Sequence, residues 1–145
     1  MSDDIPVLDQ INLVVSDMDA SIAFYRRLGL EIGPSLPEWE RHHRTVSTPD
    51  GIDFDLDSNA FAQRWNDGWS EGRTGAVITF RVETRAGVDR IYNELTSAGY
   101  GGQMAPYDAF WGARYAIVED PDGNAVGIMS PSDPAHRTAP PEPPD

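Results

Sequence analysis

The chain contains two copies of one arrangement of strands and a helix, and this internal repeat limits the folds available to it. In the first copy, apolar residues alternate along Leu8–Val15 and predict a strand, and a segment with helical spacing follows and ends at Gly29. In the second copy, Ala76–Val82 predicts the equivalent strand, and the helix after it ends at Gly99. Each copy then continues into short strands.

The two copies align with one change of spacing. A shift of 67 positions places Tyr25 on Tyr92, whereas a shift of 72 positions places the turn Thr48–Gly51 on the turn Asp120–Gly123. The difference of five residues predicts an insertion in the second copy, in a loop near 101–107. One helix and about four strands cannot bury a sheet face alone. The expected fold is therefore α+β, with tandem βαβββ modules forming a curved mixed sheet around a cavity.

The repeat also sets the domain boundaries that we expect. A single domain covers 1–133, with modules at about 7–58 and 76–131, and a linker at 59–75 contains a short helix. The segment 134–145 is rich in Pro, Ala and Asp, and this composition predicts a disordered tail.

Composition excludes several classes of partner. The chain has 24 acidic and 11 basic residues, and a formal net charge of −13 repels a nucleic-acid backbone. No apolar stretch approaches the length that spans a membrane, and the N-terminal sequence has no signal-peptide pattern, so a cytoplasmic location is expected. The absence of cysteine excludes disulfides, thiol nucleophiles and zinc–thiolate sites.

Several local signatures, in their order and spacing, resemble the glyoxalase/bleomycin-resistance superfamily, also called the vicinal oxygen chelate superfamily. They are Gln10–Asp17, then Ala23–Tyr25 with Leu28 and Gly29, and later Asp120–Asn124. The resemblance covers about 7–131 and implies the fold described above, and it also implies a homodimer. It implies no particular activity, because the family includes lyases, epimerases, dioxygenases and drug-binding proteins.

The resemblance also identifies four positions at which catalytic members of the family hold a divalent metal. In this chain those positions are Gln10, Asp55, Val77 and Gly127. Glutamine and aspartate can ligate a metal, whereas valine and glycine offer no side-chain donor. We therefore expect no metal, no cofactor and no metal-dependent catalysis of the usual type, with Gln10 and Asp55 as residual positions.

Aromatic side chains outside the periodic strands indicate a different use of the fold, which is to bind a small molecule. The candidate ligand-binding residues are Trp39, Asp55, Trp65, Trp69, Phe110, Trp111, Arg114 and Tyr115. The aromatic rings would form the walls of the site, and the acidic row Asp53, Asp55 and Asp57 would attract a cationic ligand. Alternatively, the aromatic residues pack the fold, the acidic row is a solvated sheet face, and Arg114 is an ion-pair partner.

Three functions follow from these observations. The first is sequestration of a small molecule, such as a cationic or aromatic natural product or an antibiotic. The second is a divergent lyase, isomerase or dioxygenase-like enzyme, which would use a relocated metal with His42 or His43, or Asp55 or a histidine as a metal-free base. The third is a non-catalytic dimeric scaffold.

Overall fold

The computed structural model describes residues 10–49, 51–67, 69–72 and 75–141. The predicted start of the first strand at Leu8 therefore lies outside the described residues. The chain divides into two compact units, Met1–Gly72 and Arg73–Asp145, which we call module 1 and module 2. None of the helices in the described ranges is long and apolar enough to cross a membrane.

Module 1 contains one four-stranded sheet and two helices. Its elements in chain order are β1 (Gln10–Val15), α1 (Met18–Arg27), β2 (Glu31–Ile32), β3 (His43–Ser47), β4 (Asp53–Ser58) and α2 (Asn59–Trp65). The strand order in the sheet is β1-β4-β3-β2, with β1 parallel to β4 and the other pairs antiparallel. The short helix predicted in the linker is α2.

The core of module 1 lies between its sheet and α1. Asp17 caps α1 by accepting a hydrogen bond from the backbone of Ala20 at 3.1 Å. The fully buried ring of Tyr25 on α1 meets Phe54 of β4 edge to face, with ring centroids 6.0 Å apart. Leu56 on the same face of β4 is also fully buried, so alternate residues of the strand anchor the helix.

Module 2 repeats this arrangement. Its elements are β5 (Val77–Arg81), α3 (Arg85–Ser97), β6 (Gly102–Asp108), β7 (Arg114–Glu119) and β8 (Ala125–Met129), followed by a short 3-10 turn at Pro134–His136. The strand order is β5-β8-β7-β6, and β5 is parallel to β8. Val88 and Leu95 of α3 are buried, and so are the helix-facing residues Ala116, Val118, Val126 and Ile128.

Strand register confirms the repeat and the α+β class of tandem βαβββ modules. The parallel pair in module 1 joins Gln10 to Asp53, and the parallel pair in module 2 joins Val77 to Ala125. A shift of 67 positions takes Gln10 to Val77 and would take Asp53 to position 120. The actual partner of Val77 is Ala125, which is five residues further along the chain. The size of the predicted insertion is therefore confirmed.

The position of the insertion agrees only in part with the prediction of a loop near 101–107. Helix α3 has 13 residues and α1 has 10, so three of the five inserted residues extend α3 by about one turn. The other two correspond to two register shifts in β6, between Gly102 and Met104 and between Met104 and Tyr107. The predicted loop is thus a bulged strand at the sheet edge, where Pro106 is tolerated.

The segment after β8 is ordered further than its composition predicts. The backbone of Asp133 donates to Gly112 at 3.1 Å, and that of Thr138 donates to Phe110 at 3.0 Å. The expected disorder from Pro134 onwards is therefore not found as far as Thr138, because these backbone hydrogen bonds hold the segment against the loop between β6 and β7. Residues 142–145 lie outside the described residues.

Replacing Gly112 should release this segment. Gly112 has a φ of +97°, and an added Cβ would collide with the carbonyl oxygen of Asp133. Gly99 is a matched control, since its φ is +99° and nothing lies within 4 Å of its added Cβ. We expect Gly99→Ala to lower the free energy of unfolding by about 1–2 kcal/mol from backbone strain alone. Gly112→Ala should cost clearly more in urea denaturation, and equal losses would contradict the packing of the segment on Gly112.

Candidate functional site

One face of the module 1 sheet carries polar side chains, and we call it the acidic face. Apolar residues of β1 and β4 alternate towards α1, so the intervening residues point to the opposite side of the sheet. The polar residues among them are Gln10, Asn12, Asp53, Asp55 and Asp57, and β3 adds His43 and Thr45 by register. The strand order thus brings together side chains that are more than 40 residues apart in sequence.

Two carboxylates of the acidic face are buried and hydrogen bonded. Gln10 Nε2 donates to Asp55 Oδ2 at 2.7 Å, and only 7% of Asp55 is exposed. Asn12 Nδ2 donates to Asp57 Oδ2 at 2.8 Å, and Asp57 is 1% exposed. Asp53, by contrast, is exposed. The alternative of a solvated acidic row therefore describes Asp53 but not the other two.

A histidine partner distinguishes Asp57 from Asp55. His43 Nδ1 lies 2.6 Å from Asp57 Oδ1, so each oxygen of the Asp57 carboxylate has its own partner. The neighbouring His42 points elsewhere, with Nδ1 2.8 Å from Ser58 Oγ. Sequence reasoning considered both histidines as replacement metal ligands but did not predict the contact between His43 and Asp57, which depends on the pairing of β3 with β4.

A groove beside the acidic face contains one of the predicted aromatic residues. Its volume is about 250 Å³, and its walls are Glu38, Trp39, His42, Ala60, Phe61 and Arg64. The ring of Phe61 lies edge to face with Trp39 at a centroid distance of 5.1 Å and with His43 at 5.8 Å. Phe61 was not predicted, although its place beside Trp65 on a short amphipathic helix was a usable signal. It connects the groove to the acidic face.

The other two tryptophans of module 1 do not join this aromatic pair. Trp65 ends α2 and is 47% exposed, and Trp69 is half-buried in the turn that follows. Among the described residues, neither ring packs against another aromatic ring.

Module 2 brings three predicted site residues together and adds a fourth. Tyr107, Tyr115, Trp111 and Phe110 form a chain of edge-to-face rings with successive centroid distances of 6.1, 5.7 and 5.2 Å. Tyr107 was not predicted as a site residue, because the bulges of β6 interrupt the alternation of side chains between the two faces of the strand. Burial and the neighbouring Tyr115 raise the pKa of Tyr107 above its ordinary value.

The two metal positions in module 2 cannot hold a ligand. Val77 presents an exposed apolar side chain. A Cβ added to Gly127 would lie 2.6 Å from Thr79 Oγ1 and 2.9 Å from the hydroxyl of Tyr115, so these side chains fill the space that a ligand would need. In the described part of the chain, no three His, Cys, Asp or Glu side chains form a group suited to a metal. The residues present therefore do not fit the metal site of catalytic family members.

The last predicted site residue, Arg114, lies in an ion-pair network. Its guanidinium contacts Asp89 at 3.0 Å and Asp108 at 3.2 Å, and Arg85 also pairs with Asp108. This is the alternative role considered for Arg114. Desolvation raises the pKa of the Asp108 carboxyl, but hydrogen bonds and charges from Arg114 and Arg85 outweigh it and lower that pKa below its ordinary value. Desolvation likewise opposes the net rise in the pKa of Arg114, which its carboxylate partners cause.

Comparison with known proteins places this geometry in a family context. The sequence model described as "Glyoxalase/Bleomycin resistance protein/Dioxygenase superfamily" matches residues 7–128. A comparison with curated proteins finds no match.

Solved structures share the fold at low sequence identity. A hypothetical protein from S. aureus is 23% identical, with 87% of this chain and 94% of that one covered and a TM-score of 0.71. A glyoxalase-related enzyme from Fulvimarina pelagi is 18% identical, with coverages of 88% and 89% and a TM-score of 0.74. A lactoylglutathione lyase from Agrobacterium tumefaciens is 22% identical, with coverages of 86% and 92% and a TM-score of 0.63. At these identities the likeness establishes the fold alone.

The filled position at Gly127 can be tested by substitution. Gly127→Ala should lower the free energy of unfolding by about 1–3 kcal/mol, because its Cβ meets Thr79 and Tyr115. The double variant Gly127→Ala with Thr79→Ala should recover part of that loss. A double-mutant cycle would then give a non-zero coupling energy between the two positions. Gly33→Ala serves as the control, since nothing lies within 4 Å of its added Cβ. Strictly additive effects of the first two changes would contradict this packing.

The ion pairs of Asp108 predict a pH dependence of stability. The folded-state pKa of Asp108 is lowered, so its contribution is present above the unfolded pKa and is lost as pH falls through the folded one. Asp108→Asn should therefore lower the unfolding midpoint in urea at neutral pH, and the difference from wild type should vanish in strong acid. High salt should reduce the effect, because Asp108 is exposed. Asp67→Asn makes the same change of net charge at an exposed position and is the control for a general charge effect.

Proposed function

Because the chain belongs to the glyoxalase/bleomycin resistance protein/dioxygenase superfamily, we propose that it binds a small organic cation with an aromatic ring and retains it without metal chemistry. Antibiotics and other natural products with both features fall within this ligand class. The acidic face of module 1 recognises the charge, and the groove beside it receives the ring.

The observation that carries the proposal is the state of the four positions that hold the metal in catalytic relatives. Gln10 and Asp55 remain, but they already bond each other at 2.7 Å. Val77 has no donor, and the space beside Gly127 is filled by Thr79 and Tyr115. A divalent metal needs more donors than this set provides. The retained carboxylate is therefore better suited to a ligand's positive charge than to a metal.

The buried carboxylates explain why a cation would be preferred. Asp55 and Asp57 are two carboxylates on one strand, and Asp55 accepts a hydrogen bond from the neutral amide of Gln10. A charge in a poorly solvated site interacts strongly with an opposite charge. An ammonium or amidinium group that reaches Asp55 would therefore gain more there than at an exposed carboxylate such as Asp53.

The groove supplies the apolar half of the site. Trp39 is 40% exposed and meets Phe61 edge to face, so its ring is held in place while part of its surface stays accessible. A volume of about 250 Å³ accommodates one or two fused rings. Phe61 also contacts His43, which bonds Asp57, so Phe61 links the groove to the acidic face within module 1.

Fluorescence titration tests this proposal directly. N-Methylquinolinium, a planar cation of two fused rings, should quench tryptophan emission in a saturable manner, and an uncharged ring of similar size should bind more weakly. Asp55→Asn keeps the shape of the side chain and removes its charge, so it should weaken N-methylquinolinium binding by about tenfold or more. Asp19→Asn makes the same change of net charge at an exposed position on α1 and is the matched control.

Further outcomes separate specific binding from general attraction to an acidic protein. Trp39→Leu should weaken binding of both the charged and the uncharged ring, because it removes the wall of the groove. Equal weakening by Asp19→Asn and Asp55→Asn would show that only net charge matters and would contradict the site. Absence of saturable quenching by N-methylquinolinium, and by protonated 1-naphthylmethylamine as a second cationic aromatic probe, would contradict the function itself.

A further inference from the structure

We propose that His43 is a general base on the acidic face, held in its reactive orientation by Asp57. The proposal goes beyond retention of a ligand, because it assigns proton transfer to a chain whose metal positions are incomplete. It depends on the contact between His43 and Asp57 alone, so it can hold or fail independently of the proposed cation binding.

The geometry fixes which nitrogen of His43 carries the proton. An ionised carboxylate only accepts hydrogen bonds, so at 2.6 Å from Asp57 Oδ1 the Nδ1 atom of His43 must be the donor. In the neutral ring, Nε2 then keeps its lone pair and can accept a proton. Asn12 donates to the other oxygen of Asp57 at 2.8 Å and prevents the carboxylate from turning away.

The position of the ring makes this nitrogen accessible. Asp57 is almost completely buried, with a side-chain exposure of 2%, whereas 37% of the His43 side chain is exposed. Among the described residues, Nε2 of His43 has no hydrogen-bond partner. Phe61 packs against the His43 ring at a centroid distance of 5.8 Å, which restrains the side chain. The backbone of His43 is also held in place, because it pairs with Asp57 in the sheet.

A purely structural role explains these features less well. Burying a carboxylate costs desolvation energy that a hydrogen-bonded partner often does not recover, and apolar residues of similar volume commonly serve stability as well or better. The arrangement here also differs from that of His42. The partner of His42 is the Ser58 hydroxyl, which can donate or accept and so leaves the tautomer open. Only His43 has its protonation site fixed by a carboxylate.

The chemistry that this pair supports is a proton transfer without oxidation or reduction. Nε2 takes a proton from a C–H, N–H or O–H bond of the bound molecule, and the electron pair of that bond stays on the molecule. The resulting imidazolium is stabilised by Asp57, which remains ionised. Return of the proton to another atom completes an isomerisation, and loss of a leaving group completes an elimination.

The Kemp elimination of 5-nitrobenzisoxazole provides a defined probe of such a base. The base removes the proton from the ring carbon, the C–H electron pair forms the nitrile, and the N–O bond breaks to release a phenolate, so no co-reactant is needed. We expect the protein to exceed an equal concentration of free imidazole by on the order of a hundredfold. His43→Gln should remove this excess, whereas His136→Gln, in the segment after β8, should keep it.

The positioning role of Asp57 must be tested with a measurement that reports on the His43 ring itself and not only on whether the variant is folded. Nitrogen NMR of the neutral His43 ring should show the proton on Nδ1 in the wild-type protein and a mixture of tautomers in Asp57→Asn. The elimination rate of that variant should fall to a value between wild type and His43→Gln. Asn12→Ala, which removes only the second restraint on the carboxylate, provides a milder variant if Asp57→Asn loses its near-UV circular dichroism.

Several results would overturn the proposal. A folded wild-type protein no faster than free imidazole would show that the ring is not a reactive base. A His43→Gln variant with the full rate would assign the activity elsewhere, and loss of the rate in His42→Gln alone would assign it to the neighbouring histidine. A wild-type ring protonated at Nε2 would contradict the contact itself.

Discussion

The parallel pairing of the first and last strands of each module determines which side chains can act together. In module 1 this register sets Asn12 beside Asp55 and Val14 beside Asp57, so residues from β1 reach carboxylates on β4 along the diagonal. The contacts of Gln10 and Asn12 with the carboxylates of the acidic face follow from it. A shift of the β1 register by one residue would turn its polar side chains towards α1. It would also expose the apolar side chains of β1 that now face α1, with a large loss of buried surface.

The same register in module 2 produces a different surface, because different residues occupy equivalent positions. Ile117 pairs with Gly127, and the absence of a side chain there leaves room for the ring of Tyr115. Tyr115 in turn contacts Tyr107 and Trp111, so the missing metal ligand and the aromatic cluster are two aspects of one packing arrangement. A carboxylate could not be restored at position 127 without displacing that cluster.

Features that depend on neighbouring residues in the sequence could be predicted. Features that depend on packing between segments far apart in the sequence could not. The end of α1 just before Gly29 and the five-residue difference between modules were both visible as patterns. Whether the extra residues lengthened α3 or entered a loop depended on packing, and the bulges of β6 erased its alternation. The order of the tail depends on hydrogen bonds of its backbone to Gly112 and Phe110, which composition does not encode.

The two buried carboxylates of β4 differ in what they can do because their partners differ. Gln10 has an amide that neither gains nor loses a proton near neutral pH, so its bond fixes the direction of the Asp55 carboxylate and leaves its charge for a ligand. His43 has an imidazole that can both donate and accept a proton, so its bond to Asp57 can change when a ligand binds. In the two proposals, adjacent positions on one strand face therefore have different tasks: Asp55 holds a cation and Asp57 orients a proton-transferring histidine, and neither task requires a metal.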